Sequence, residues 1–255
     1  MHILLSYGHH TGTTGEYLEK ELRRLCRVTT CGVSADKAFD IPCKAPNTSM
    51  FDILDRVGEP PDLIFQIECG TVKFFPRDLE RIPIPKAFYS IDPHYNFYWH
   101  RYYLGLFDTV FVSFAQYLDQ YRAINPDTHH LPHAYDADSY QELPGPRDLD
   151  VVFVGHVDPG SRPQRSRLLD ALKDRFSVTI RSGIWKKDVA KLYSRAKIVF
   201  NDNDRGVLNP RNFEATACGA LLVTNPAVGL EELFEDRRDL VIYHDSDELV
   251  RLVGH

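Results

Sequence analysis

Short apolar runs alternate with longer amphipathic stretches along the chain, and the whole pattern occurs twice. In the first half, runs near 2–6, 27–31, 62–67, 86–89, 109–112 and 128–131 predict strands. Apolar residues at helical spacing predict helices near 14–25, 48–57, 96–105 and 114–123. Thr13 with Glu16, and Ser113 with Gln116, have the form of capping boxes. A second alternation begins at Asp150. Its strands fall near 151–154, 177–180, 197–200, 220–224 and 240–243. Its helices fall near 162–174, 186–195, 210–218, 230–235 and 246–252. Strands that alternate with helices mean an α/β fold with parallel sheets. The stretch Tyr140 to Asp148 is rich in proline and charge and reads as a linker. The expected layout is a Rossmann-like domain over 1–139, a linker over 140–149 and a second Rossmann-like domain over 150–255.

One stretch carries more chemistry than the rest: Asn209 to Asn225, NPRNFEATACGALLVTN. Asn209 suits a helix N-cap and Pro210 the first helical position. Gly219 suits the stop, and Ala220 to Thr224 form a buried strand. Arg211, Glu214, Ala215 and Cys218 are spaced to share one helix face. An arginine beside a helix start suits a phosphate, and a carboxylate one turn on suits a sugar hydroxyl pair.

The ends of other strands add candidates. Gly155 and His156 follow the strand 151–154, where open α/β folds bind ligands. Gly155 allows a close backbone approach, and His156 or Arg165 can contact a phosphate. The loop Val157 to Pro163, with Gly160 and Ser161, suits an anion. The first strand is followed by Gly8-His-His-Thr-Gly12-Thr-Thr-Gly15, at the place of a phosphate-binding turn but without a nucleotide fingerprint. Asp92-Pro-His94 follows the strand ending at Ser90 and supplies the best general-base candidates. The aromatics after it (Tyr95, Phe97, Tyr98, Trp99, Tyr102, Tyr103) suit sugar stacking or, for most of them, core packing. Asp202 and Asp204 form a D-x-D, a spacing that can hold a divalent cation. A short acidic loop is the commoner reading, so no metal is expected.

Composition narrows the class. The 255 residues carry a net charge of −6, which leaves no basic footprint for nucleic acid. No apolar run is long enough to span a bilayer. The five cysteines contain no C-x-x-C, which favours free thiols in a cytosol over disulfides or a structural zinc.

The 209–225 block, with Glu232-Leu233-Phe234 and Asp245 to Leu249 after it, resembles the donor site of GT-B glycosyltransferases. More narrowly it resembles the CgeB-like (spore-maturation-protein-like) branch of the group 1 transferases. Val151–Gly155 and Tyr193–Asn201 extend the match, and Ser90 to His133 match more weakly. The resemblance implies two Rossmann-like domains with parallel sheets facing a central cleft. It implies transfer of a sugar from a nucleotide diphosphate donor, UDP by default, to a hydroxyl acceptor, without metal or other cofactor. Glu214 matches the family carboxylate on the donor ribose. Arg211 would neutralise the diphosphate, with Asn212, Gly155, His156 and Arg165 beside it. Asp92 and His94 would be catalytic, and His9, His10, Gly12 and His133 would line the cleft on the acceptor side. Better-known group 1 members carry a second glutamate eight residues before this one, where this chain has Gly206. The chain also stops within a helical pattern at Val250–His255, where GT-B proteins usually continue, so a shortened or minimal member is expected. Two other readings stay open: a nucleotide-sugar epimerase or hydrolase on the same fold, and a non-catalytic binding or scaffold protein.

Overall fold

The computed structural model describes residues 1–255 and divides them into two compact units, Met1–Pro132 and His133–His255. In the first unit the order is β1 (His2–Gly8), α1 (Thr14–Leu25), β2 (Arg27–Val33), β3 (Ile41–Pro42), α2 (Met50–Val57), β4 (Leu63–Ile67), β5 (Lys86–Ser90), α3 (Pro93–Tyr103), β6 (Thr109–Val112), α4 (Leu118–Arg122) and β7 (Thr128–His130). All seven strands pair in parallel in the order β3-β2-β1-β4-β5-β6-β7. The order reverses between β1 and β4, so their carboxyl ends flank a topological switch point.

Period-two alternation along the strands supplies both faces of this sheet. Ile3, Leu5 and Tyr7 pack with Phe65, Ile67, Ala87 and Tyr89 toward Leu18 and Leu22 of α1. Leu4, Ile64, Phe88, Val110 and Val112 pack on the other side with Ile53 of α2, Phe97 and Tyr103 of α3 and Tyr121 of α4. A parallel sheet covered on both faces accounts for strands that read as nearly continuous apolar runs.

The second unit runs β8 (Leu149–Val154), α5 (Pro163–Lys173), β9 (Val178–Arg181), α6 (Lys187–Arg195), β10 (Ala196–Phe200), α7 (Arg211–Ala217), β11 (Leu221–Thr224), α8 (Leu230–Leu233), β12 (Val241–Ile242) and α9 (Ser246–Val253). Its five parallel strands lie in the order β12-β11-β10-β8-β9, with the reversal between β8 and β10. Val151, Phe153, Phe200, Val223 and Tyr243 pack against Leu168, Leu169 and Leu172 of α5 and Leu249 of α9.

The division falls earlier in the sequence than the proline-rich stretch suggests. Residues 140–149 are fastened to the second unit: Arg147 donates to the carbonyls of Ala196 (2.8 Å) and Tyr193 (3.2 Å), and Ser194 Oγ accepts the Leu143 N–H at 2.9 Å. Tyr140 is buried. Proline and charge gave this segment the composition of a linker, but its arginine closes open carbonyls at the end of α6 and the start of β10.

Candidate functional site

The site in the second unit forms where the strand order switches. Arg211, on the first turn of α7, reaches back to the end of β8. Its Nε and Nη2 donate to the Val154 carbonyl at 3.0 and 2.7 Å, and Nη1 donates to Asn201 Oδ1 at 2.5 Å. Its guanidinium lies over the Phe153 ring, 4.8 Å from the centroid. Gly155 allows this approach, since a Cβ there would sit 2.6 Å from Arg211 Nη2. Arg165, buried on α5, stacks on the same ring at 5.4 Å. It donates to the carbonyls of Asp202 (3.0 Å) and His156 (3.2 Å) and to Asp202 Oδ2 (3.2 Å). Two guanidinium groups therefore share one aromatic ring. Burial lowers the Arg165 pKa and the Arg211 charge lowers it further, with Asp202 opposing. Burial in turn raises the Asp202 carboxyl against the pull of Arg165. An anion arriving here would relieve the repulsion between the arginines.

The loop between β10 and α7 is braced by carboxamides. Asn201 Nδ2 donates to Asn203 Oδ1 (2.9 Å), Thr224 Oγ1 (3.0 Å) and Asn212 Oδ1 (3.2 Å). Asn209 Nδ2 and Asn212 Nδ2 both donate to Asn203 Oδ1, at 2.9 and 2.8 Å. Asn209 Oδ1 accepts the Arg211 N–H at 3.0 Å, the cap expected of it. At the far end, Gly219 takes φ +70°, its N–H bonds Thr216 O (3.0 Å) and the Ala220 N–H bonds Ala215 O (3.3 Å), a Schellman stop. The helix start that presents Arg211 is thereby fixed at both ends.

Several expected site residues sit differently. Asn212 is fully buried inside the carboxamide network, so it braces the loop and does not meet a donor. It lies about a hundred degrees round the helix from Arg211, on the interior side. The loop 157–163 is closed to an outside anion by its own acid: Asp158 accepts the N–H groups of Gly160 (3.2 Å) and Ser161 (2.9 Å). Each acid of the D-x-D is paired with an arginine, Asp202 with Arg165 and Asp204 with Arg162 (2.5 Å). His156 is exposed, and Gly155 stands over Arg211. Glu214 is half-buried one turn along α7. Burial raises its pKa, while a hydrogen bond with Tyr140 and the Arg211 charge oppose the rise.

In the first unit the candidate base loop lies at the carboxyl end of β5. Asp92 precedes α3, and His94 packs on Tyr95 (4.0 Å between ring centroids) and edge-on to Phe114 (5.3 Å). The aromatics of α3 divide by face. Phe97 and Tyr103 join the core, whereas Tyr98 and Tyr102 are 65% and 75% exposed. Beneath the loop sits Glu68, a residue with no sequence signal beyond its place at the end of an apolar strand. It accepts the N–H groups of Ile91 (2.8 Å) and Asp92 (3.0 Å).

The turn after β1 brings His10 to Cys69, at the end of β4. The thiol sulfur accepts the Val72 N–H at 3.3 Å and faces the Thr13 hydroxyl at 3.9 Å. Burial pushes the Cys69 thiol up, but the His10 hydrogen bond and the N–H groups of Val72 and Thr71 leave its pKa below the ordinary value. The neighbouring His9 is tied to Ser34 and Asp36, both at 3.1 Å, and Gly12 lies in the same turn with φ +79°. His133 is buried and is the first residue of the second unit.

Residues 161–255 match the model of a family described as glycosyl transferase-like. No curated protein is significantly similar in sequence. Among solved structures, Anabaena HepE in complex with UDP and glucose superposes with a TM-score of 0.66 at 15% identity, over 98% of this chain and 88% of that one. Sucrose-phosphate synthase from Thermosynechococcus elongatus gives 0.60 at 13% identity, over 100% and 89%. UDP-GlcNAc 2-epimerase from Methanocaldococcus jannaschii gives 0.56 at 9% identity, over 100% and 92%. The chain has the GT-B fold, with its seven-stranded and five-stranded parallel sheets in two Rossmann-like domains.

Proposed function

We propose that the protein is a glycosyltransferase that moves a sugar from a nucleotide diphosphate donor to a hydroxyl acceptor. The observation that carries this reading is the pair of guanidinium groups on Phe153 at the β8/β10 switch point, with Glu214 one turn along α7. Breaking the bond between sugar and diphosphate leaves negative charge on the leaving group, and fixed cations aimed there favour the transition state. Arg165 and Arg211 provide that field, and His156, exposed at the loop, is free to meet the phosphates. Glu214 accepts from the ribose hydroxyls when ionised. Asp92 or His94 takes the proton from the acceptor hydroxyl. UDP-bound structures among the similar folds make a UDP-sugar the first donor to try. The match of residues 161–255 supports the group 1 assignment, and the CgeB-like branch is its finer form. Free cysteines and the lack of any helix long and apolar enough to cross a membrane fit a cytosolic setting.

The epimerase of similar fold keeps a second reading in view, conversion of the donor without an acceptor. Calorimetry with UDP-, GDP-, dTDP- and CMP-sugars, with and without EDTA, tests the donor site. One EDTA-insensitive ligand that loses affinity in Glu214→Ala and Arg211→Ala supports the proposal. Binding that ignores both substitutions sinks the site assignment. Product analysis with donor alone then separates a transferase from an epimerase.

A further inference from the structure

One buried carboxylate with no part in the chemistry above is Glu68. It is 1% exposed at the carboxyl end of β4. Its Oε2 accepts the N–H groups of Ile91 (2.8 Å) and Asp92 (3.0 Å) and the Ser90 hydroxyl (3.3 Å), and it lies 3.4 Å from His100 Nε2. Its Oε1 accepts from the Asn96 amide. His100 is fully buried, with Nδ1 2.5 Å from the Tyr121 hydroxyl and 3.1 Å from Ser90 Oγ.

We infer that Glu68 is a positioning residue for the base loop, fixing the backbone of Ile91 and Asp92 so that Asp92 and His94 hold one orientation. Packing alone does not call for a carboxylate here, since a buried charge is costly unless its hydrogen bonds are satisfied. What distinguishes this one is where its donors come from. Ile91, Asp92 and Asn96 all belong to the turn and first helical residues that carry the candidate bases. His100 lies two turns along the same helix, with its Nε2 3.4 Å from the same Oε2. Glu68 therefore ties the start of α3 to the end of β4 through a single side chain. Loops held by such carboxylates lose the freedom that would otherwise spread a catalytic group over several poses. The inference rests on the transferase reading for its functional part, and on geometry alone for its structural part.

Glu68→Gln tests both parts in the full chain. The amide keeps the shape but turns an N–H₂ donor toward at least one of the donors the carboxylate satisfied. Amide hydrogen exchange at Ile91 and Asp92 is expected to accelerate by about tenfold or more, with exchange elsewhere in the first unit unchanged. UDP release from UDP-glucose, with water as acceptor, is expected to lose about tenfold or more in kcat while the Kd for UDP stays at the wild-type value. Glu68→Asp, which keeps the charge, should recover part of both. Exchange at wild-type rates in Glu68→Gln overturns the inference. So does a kcat loss that merely follows the unfolded fraction measured by circular dichroism. If wild-type protein binds no nucleotide and releases no UDP, the transferase reading fails. The exchange rates then decide the positioning role alone.

Discussion

Replacing Arg211 by lysine separates a point charge from a fork. Three hydrogen bonds of the guanidinium run to the chain ends it bridges, two to the Val154 carbonyl and one to Asn201 Oδ1. A lysine keeps the charge but has one nitrogen, and it cannot bridge the end of β8 to Asn201. Hydrogen bonds from charged donors are worth roughly 1.5–3 kcal/mol each. The side chain is only half-buried, so water recovers part of the loss. A net cost of about 2 kcal/mol for the two lost bonds is the working figure, and it lowers Tm by roughly 8 °C in a unit of this size. The donor should suffer as well, because Val154, Gly155 and the asparagine loop lose their common tie. A drop in UDP affinity of about tenfold to a hundredfold, or 1.4–2.8 kcal/mol, is expected. Arg211→Ala should lose only slightly more. Thermal melting and calorimetry with UDP measure both quantities. If Arg211→Lys melts like wild type and binds UDP equally well, the fork is irrelevant. The guanidinium's contribution is then charge alone.

Three further outcomes follow from the same geometry. Gly155→Ala should reproduce the Arg211→Lys phenotype without touching the arginine, since the new methyl carbon would stand 2.6 Å from Nη2 and 3.0 Å from the Phe153 ring; normal melting and UDP binding would contradict the described approach. Burial raises the Glu214 pKa above its unfolded value, so protonation favours the folded protein and the ionised, diol-binding form is lost as pH falls through the raised value. Donor affinity should therefore rise with pH through the acid range, and Glu214→Gln should flatten the curve; a pH dependence unchanged in the variant counts against the ribose role. Cys69 ionises at lower pH than an ordinary thiol, whereas burial raises Cys43 and pushes Cys218 up to about 12. In peptide-level mass spectrometry, the alkylation rate of Cys69 near neutral pH should fall in His10→Ala; an unchanged rate would mean that the imidazole does not hold the thiolate.

Elements were legible wherever one segment decides its own structure. The expected helix at 14–25 is the observed α1, and the 209–225 block folds as its cap, helix and stop residues imply. The misses have physical causes. Pro93 starts α3 three residues earlier than periodicity suggests, because proline fits a first helical turn and Asp92 stands before it. Strand β3 is two residues long and pairs only with β2, too short for any pattern. The two expected capping boxes do not form, because their hydroxyls found other partners: Thr13 faces Cys69, and Ser113 donates to the Ile91 carbonyl at 2.6 Å. Site residues were legible by position more than by role. Arg211 and Glu214 lie where the motif puts them, but nothing local says that Asn212 turns inward or that Asp158 fills its own loop. Glu68 and the asparagine network escaped because their partners are distant in sequence: Glu68 meets Ile91 across 23 residues, and Asn201 meets Thr224 across 23.

Gly206 shows how this chain differs from the pattern it otherwise resembles. It stands eight residues before Glu214, where better-known members have a carboxylate. The turn there runs through left-handed backbone, with φ 54° at Arg205 and 67° at Gly206. A side chain at Gly206 would meet open space, since no atom lies within 4 Å of its Cβ position. Room is therefore available, and the obstacle is the backbone, which a glutamate would adopt at a cost of about 1–2 kcal/mol. The nearby acids do not substitute, because Asp202 and Asp204 are each paired with an arginine. Around Phe153 two guanidinium groups meet one aspartate that is itself tied to Arg165, so the local field favours an anion. Under the proposed transferase reading, the second unit's chemistry is departure of the diphosphate. On that reading, proton handling on the acceptor's side falls to the candidate bases Asp92 and His94 of the first unit.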